Sequence, residues 1–274
     1  MDTLGRTRVF WNASPCGAQD GFRQRLEHRI SMEPWIPDLI HEIAQAHKNI
    51  IEVGCGQGTD GIMFCRELPE NGSYRGIDYS NASVASARKA AIEAAGVVPL
   101  RVSPSFEVGN AEVLSFEDDS IECVFSNGVL HHTTHPEQAF AEVYRVLQPG
   151  GAAYITLYRK PSVKVGLAKL LRAFQHVLDA VFRRERCLYA FFYGHHLPRV
   201  LGTMLLECFG VPMMAWYSET EMRRIFSRFE IRRLQPVGLN FPRRNEKSKG
   251  WSSWGYMWLI HLKKPMAGGH SEKK

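Results

Sequence analysis

Residues 50–61, "IIEVGCGQGTDG", carry glycines at 54, 56, 58 and 61 that read in two registers, G-x-G-x-G and G-x-G-x-x-G. Glycine permits positive φ and close approach of a ligand to the backbone, so a turn of this kind after an apolar strand suits a nucleotide-like ligand. The registers differ in what they would hold. Glu52 stands just before the turn. A carboxylate there repels the pyrophosphate of a dinucleotide, whereas a ligand bearing an ammonium and a sulfonium is favoured beside it. Asp78 in "GIDYS" follows a second apolar stretch, where a carboxylate can grip both hydroxyls of a ribose; this suits either ligand. His131 and His132 follow another strand, and His195 and His196 stand in "FYGHH". Histidine titrates near neutrality and suits general-base work, though each of these four equally suits a hydrogen-bonded structural role. Arg243 and Arg244 in "FPRRNEK" suit a carboxylate or phosphate.

The elements that position these residues follow from periodicity. Strands are expected at 49–53, 74–77, 105–108, 121–126, 152–158, 230–239 and 256–263. Helices are expected at 22–30, 37–46, 60–68, 83–95 and 137–147, the last ended by "QPGG", with Ser80 or Asn81 as N-cap of the fourth. Alternating strands and helices argue for a parallel sheet covered on both faces. Val165 to Phe182 carries an apolar stripe at helical spacing, expected to pack over the sheet. Ser218 with Glu221 forms a capping box that opens a helix at "SETEMRRIF". The closing strands, joined by "NFPRRNEKSKGWSSW", form a long hairpin at the far edge.

In order, "EVGCGQG", "GIDYS", "GNAEVLSFEDDSIECVFSNGVLHH" and "RVLQPGG" resemble the successive motifs of the class I S-adenosylmethionine-dependent methyltransferases, particularly their broad small-molecule branch. The resemblance covers residues 49–158. It implies a Rossmann-like, doubly wound, mostly parallel seven-stranded α/β sheet with the last strand antiparallel. The expected layout is an N-terminal helical segment over the pocket at 1–48, the S-adenosylmethionine-binding core at 49–158, and a helical insert or lid at 159–216. A C-terminal helix and strands at 217–264 complete the sheet, and a flexible tail ends the chain at 265–274. By position, the resemblance sets Gly54, Gly56 and Gly58 against the methionine part of the cofactor, with Glu52 near its ammonium or holding the loop, and Cys55 in the same turn. Asp78 binds the ribose, Tyr79 lies beside the adenine, Asn110, Ala111 and Glu112 meet the adenine edge, and Asn127 lines the methionine end. Asn110 stands where many relatives have Asp; its carbonyl oxygen still accepts a hydrogen bond.

In-line methyl transfer needs alignment, exclusion of water and, for some acceptors, removal of a proton. His132 is the first candidate base and His131 the second. The acceptor side is expected from Trp11, Trp35, His132, Tyr193, His195, Trp216 and Tyr217, with Arg243 and Arg244. The acceptor class read from this is an O or N nucleophile of a small metabolite or natural product, acidic ones included, with S-adenosylhomocysteine as the second product. Charge is uneven: residues 1–158 carry 12 Lys and Arg against 20 Asp and Glu, and residues 159–274 carry 22 against 8. The basic half suits an acidic substrate, an anionic membrane surface or nucleic acid. The last keeps an RNA methyltransferase as an alternative, although no base-amino methylation motif or RNA-binding module is present. A non-catalytic S-adenosylmethionine-binding protein of the same fold is another alternative, and an NAD dehydrogenase is opposed by Glu52 and "LQPGG". Six dispersed cysteines offer neither a zinc spacing nor a disulfide framework, and no metal is expected. With no secretory pattern and no long apolar run, a cytoplasmic protein is expected, a monomer or a homodimer.

Overall fold

The central strands of this chain are largely apolar on both faces, as a sheet sandwiched between helices requires. The computed structural model describes residues 3–13, 21–97, 99–183, 188, 211–238 and 255–266. Within them a seven-stranded sheet runs in the order β3-β2-β1-β4-β5-β7-β6. The strands are β1 (Asn49–Val53), β2 (Ser73–Asp78), β3 (Pro104–Val108), β4 (Ile121–Asn127), β5 (Leu147–Tyr158), β6 (Glu230–Val237) and β7 (Met257–Lys263). β1 to β5 pair in parallel, and β7 runs antiparallel between β5 and β6.

Successive side chains of a strand point to opposite faces, and the core divides accordingly. Ile50, Cys123, Phe125, Tyr154 and Leu259 join one layer, packed on α3 (Ile36–Ala46), α4 (Thr59–Glu67) and α5 (Asn81–Ala95). Val53, Val124, Ile155, Trp258 and Ile260 join the other, packed on α6 (Pro136–Val146) and α8 (Glu219–Ile225). Two further helices, α1 (Thr3–Ala13) and α2 (Phe22–Met32), precede the sheet, and α7 (Val163–Phe182) follows β5. Ser80 is the N-cap of α5, its hydroxyl accepting from Ser83 N at 3.1 Å. The Ser218–Glu221 capping box is formed in both directions.

Four sequence expectations change. The β5 strand starts at Leu147, which pairs with Ile121, so "QPGG" is an irregularity inside the strand's edge rather than a free turn. The α1 helix is not visible in the apolar pattern. Trp35 is 1% exposed in the core beneath α3 rather than in a pocket wall. The α7 stripe does not pack on the sheet: Leu167, Leu170, Phe174, Val177 and Val181 are exposed. Among the described residues, no helix is long and apolar enough to cross a membrane.

Candidate active site

Strand order reverses at β1, which has β2 on one side and β4 on the other, and a crevice opens beyond the carboxyl ends there. A cavity of about 300 Å³ occupies it. The turn after β1 has Gly54, Gly56 and Gly58 at φ 83°, 51° and 78°. Their roles separate. A Cβ on Gly54 would lie 2.3 Å from Val129, and one on Gly58 would lie 2.8 Å from Phe106, so both are close-packing positions. A Cβ on Gly56 would meet nothing within 4 Å, because this residue faces the cavity. Gly58 is the N-cap of α4 and does not line the cavity. Gly61 sits inside α4, where a Cβ would fall 2.2 Å from Tyr74 Oη. It is therefore a packing residue and not a phosphate contact, and the turn works in the G-x-G-x-G register.

Glu52 is 3% exposed and accepts the hydrogen bond of the Tyr74 hydroxyl beneath the turn, while also lining the cavity. Burial, reinforced by Asp60, holds its carboxyl well above the usual carboxylate range. Asp78 ends β2 with each oxygen on a backbone donor, Oδ2 on Gly56 N at 2.9 Å and Oδ1 on Ser80 N at 2.8 Å. Burial raises its pKa, and those two N–H groups restrain the rise. A carboxylate accepts about four hydrogen bonds, so both oxygens keep a lone pair for a ribose. Asn110, Ala111 and Glu112 line the neighbouring wall, but their bonds are local. Asn110 Oδ1 accepts from Glu112 N at 2.9 Å, and Glu112 holds His135 through N at 2.9 Å and Nδ1 at 3.0 Å. Tyr79 and Cys55 also line the cavity, Tyr79 with the Arg8 guanidinium 5.8 Å from its ring centroid.

The far end is closed by α1 and α2, and here sequence reading missed several residues. On α2, Arg25, His28, Arg29 and Met32 line the cavity at helical spacing; on α1, Leu4, Thr7 and Trp11 do. Arg29 grips Asp60 with two bonds, Nε to Oδ1 at 2.8 Å and Nη2 to Oδ2 at 2.6 Å, and its Nη1 lies 3.1 Å from Glu33. Burial opposes its charge, but Asp60, Glu33 and Glu52 outweigh that cost, so its pKa is raised. Asn127 Nδ2 donates to Glu33 at 3.3 Å and Asp60 at 3.4 Å, joining the end of β4 to the same cluster. The signal that would have found this face is the i, i+3, i+4, i+7 spacing of 25, 28, 29 and 32. An apolarity search passes over it because three of the four are basic.

His132 sits in a 3-10 turn after β4 and lines the cavity, its ring centroid 5.7 Å from that of Trp11. Its Nδ1 is 2.8 Å from the Met213 carbonyl oxygen. A carbonyl only accepts, so Nδ1 carries hydrogen, and Nε2 is the basic nitrogen of the neutral ring. His131 lies behind it and does not line the cavity: it is 0% exposed, with its ring centroid 4.2 Å from that of His132 and 4.0 Å from that of Tyr158. Trp216 and Tyr217 are also outside the lining. Trp216 lies under Lys169 Nζ at 4.4 Å, and Tyr217 packs on Phe140 with ring centroids 5.9 Å apart. Tyr158, Tyr256 and Met257 line the cavity instead. Tyr193, His195, His196, Arg243 and Arg244 lie outside the described residues. Asp118 is paired with Arg145 and Asp119 with Lys264.

The glycine turn, Glu52, Asp78 and the acidic cluster fit a ligand with a ribose at one end and an ammonium at the other. Residues 51–155 match the family model described as a methyltransferase domain. The chain is 36% identical over 122 residues to the phthiotriol/phenolphthiotriol dimycocerosates methyltransferase of Mycobacterium leprae, covering 43% of this chain and 40% of the relative. It is 28% identical over 118 residues to a ubiquinone/menaquinone biosynthesis C-methyltransferase of Pectobacterium carotovorum, covering 43% and 45%. The chain thus spans less than half the length of these curated relatives. Its fold is similar to that of the magnesium protoporphyrin IX methyltransferase from Synechocystis with bound S-adenosylmethionine, with a TM-score of 0.56, 12% identity and coverage of 96% and 98%. Residues 51–155 thus carry a methyltransferase domain, and the fold around it is similar to that of a methyltransferase that binds S-adenosylmethionine.

Proposed function

We propose that this chain transfers a methyl group to a nucleophile of a small acceptor with an apolar, ring-sized body, and that His132 removes the acceptor's proton. The observation that carries the reading is the Nδ1–H bond of His132 to Met213 O, which makes Nε2 the basic nitrogen of a cavity-lining ring. When bound, S-adenosylmethionine would supply a methyl on a sulfonium; the acceptor's lone pair would take that methyl as its bond to sulfur breaks, with the thioether S-adenosylhomocysteine as the leaving group. Asp78 would accept from the ribose hydroxyls and Glu33 and Asp60 would favour the ammonium end, while the buried Glu52 holds the turn through Tyr74. Trp11 and Met32 from the N-terminal helices, with Tyr158 and Tyr256, exclude water and fill the acceptor side. In this reading residues 1–48 cover the pocket and residues 159–216 add a helical insert beside it.

An O or N nucleophile is the first acceptor class, because a basic imidazole suits a phenol or a protonated amine. Carbon is a second class, favoured by the C-methyltransferase among the relatives; an activated carbon also needs a base. The test is release of S-adenosylhomocysteine over a panel of phenols, amines and enolisable carbon acids. His132→Ala is expected to lower kcat by about 100-fold, with cofactor affinity by calorimetry unchanged. Undiminished turnover in that variant removes His132 as the base. Asp78→Ala is expected to abolish cofactor binding, and retained binding overturns the ribose assignment.

A further inference from the structure

The α7 helix turns its polar side inward and its apolar side out. On the inner side Val165 and Ala168 are buried, Gln175 is 7% exposed, and Arg172 Nη2 donates to the carbonyl of Val211, a cavity-lining residue, at 2.9 Å. On the outer side Leu167, Leu170, Phe174, Val177 and Val181 recur in steps of three and four and are 46–68% exposed. A continuous apolar stripe of this kind marks an interaction surface. Its charge is one-sided. To one side of the stripe the exposed positions Lys169, with its Nζ over the Trp216 ring, His176 and Arg183 form a line that includes no acid, and the helix's one acid, Asp179, is half-buried toward the inner side.

That charge pattern selects the partner. A two-fold contact between copies would bring two such faces together with no exposed carboxylate on either to pair the cations beside them. An anionic lipid surface takes the apolar stripe into its acyl boundary and the flanking cations into its headgroups. We propose that the outer face of α7 docks this chain on an anionic bilayer, lying on the membrane without spanning it. The excess of 22 basic over 8 acidic residues in 159–274 acts in the same direction. The proposal does not rest on the identity of the acceptor or on His132.

The test is co-sedimentation of the full chain with phosphatidylcholine vesicles, with and without phosphatidylglycerol. The chain is expected to bind the phosphatidylglycerol vesicles and to be released by added salt. Leu170→Glu/Phe174→Glu, two exposed positions, is expected to weaken that binding by about tenfold or more, with S-adenosylhomocysteine binding by calorimetry unchanged. Val177→Glu repeats the test at a third exposed position. Equal binding to both vesicle types, or binding by the double variant equal to the parent's, overturns the proposal. So does a dimer in sedimentation equilibrium that the double variant dissociates, because the stripe would then belong to a second copy.

Discussion

Glu52 shows how much of a side chain's role depends on what surrounds it. Its buried carboxyl is raised well above the ordinary 4.5 by burial and Asp60, so the native state holds its proton where the unfolded chain has lost it. Stability contributed by that proton is full below pH 4.5 and is lost as pH rises through the raised native value, at about 1.4 kcal/mol per pH unit. Glu52→Gln keeps an acceptor for Tyr74 and removes the titration. Its melting temperature should therefore gain on the parent's as pH rises from 4.5, a gap that levels off above the native pKa; parallel curves would mean that Glu52 titrates normally. Gly61 sets two effects against each other. Alanine in a helix interior is favoured over glycine by about 1 kcal/mol, but here its Cβ would fall 2.2 Å from the buried Tyr74 hydroxyl. Overpacking wins, and Gly61→Ala should cost about 1–3 kcal/mol, read by urea unfolding; a stabilised variant would refute this. The places of Asp78 and the glycine turn were legible because each stands at the end of an apolar strand. Arg29 was not, since its meaning lies in Asp60, thirty-one positions away.

Legibility at the scale of elements followed burial. Strands buried on both faces read as apolar runs, and α3 and α6 as amphipathic helices, so their positions were recovered within a few residues. The α1 helix carries Gly5, Thr7 and Val9, poor helix formers, and it is held by tertiary bonds such as Ser80 Oγ to Asn12 Oδ1 at 2.8 Å. The α7 helix was read with the correct period and the wrong side, because periodicity finds a stripe without saying what it faces. Caps were the most transferable local signal. In α8 the Glu221 carboxylate is bonded to Lys160 and to Ser218, which together lower its pKa to about 2. A depressed native value means this cap stabilises fully above the ordinary 4.5 and loses its contribution as pH falls toward 2. Ser218→Ala removes the reciprocal bond at neutral pH. It should lower stability by about 1 kcal/mol and the melting temperature by about 2–4 °C; an unchanged midpoint would show the box to be dispensable.

Across the whole molecule, a continuous two-layered core carries the sheet, while the N-terminal cover is joined to it by small apolar clusters, Phe22 with Ile62, Ala90 and Ala94 among them, and by polar links. Phe10 packs in a small cluster with Val211, and α2 is tied by Phe22 N to Glu93 Oε2 at 3.0 Å and by the Arg29–Asp60 pair. Such elements open locally at less cost than the core strands. The cover nevertheless supplies one wall of the cavity, so the open cover and the bound cofactor should exclude each other. A ligand at about 100 times its Kd stabilises the competent state by about 2.7 kcal/mol, close to a hundredfold. Hydrogen exchange in 3–13 and 22–32 should therefore slow on adding S-adenosylhomocysteine by up to the same factor as the slowest amides of β4 and β5. Local openings of α8, which supplies none of the cavity's lining, should proceed at their original rates. If amides in 3–13 and 22–32 exchange unchanged while the core slows, the cover opens with ligand in place, and the N-terminal helices would serve acceptor entry rather than cofactor retention.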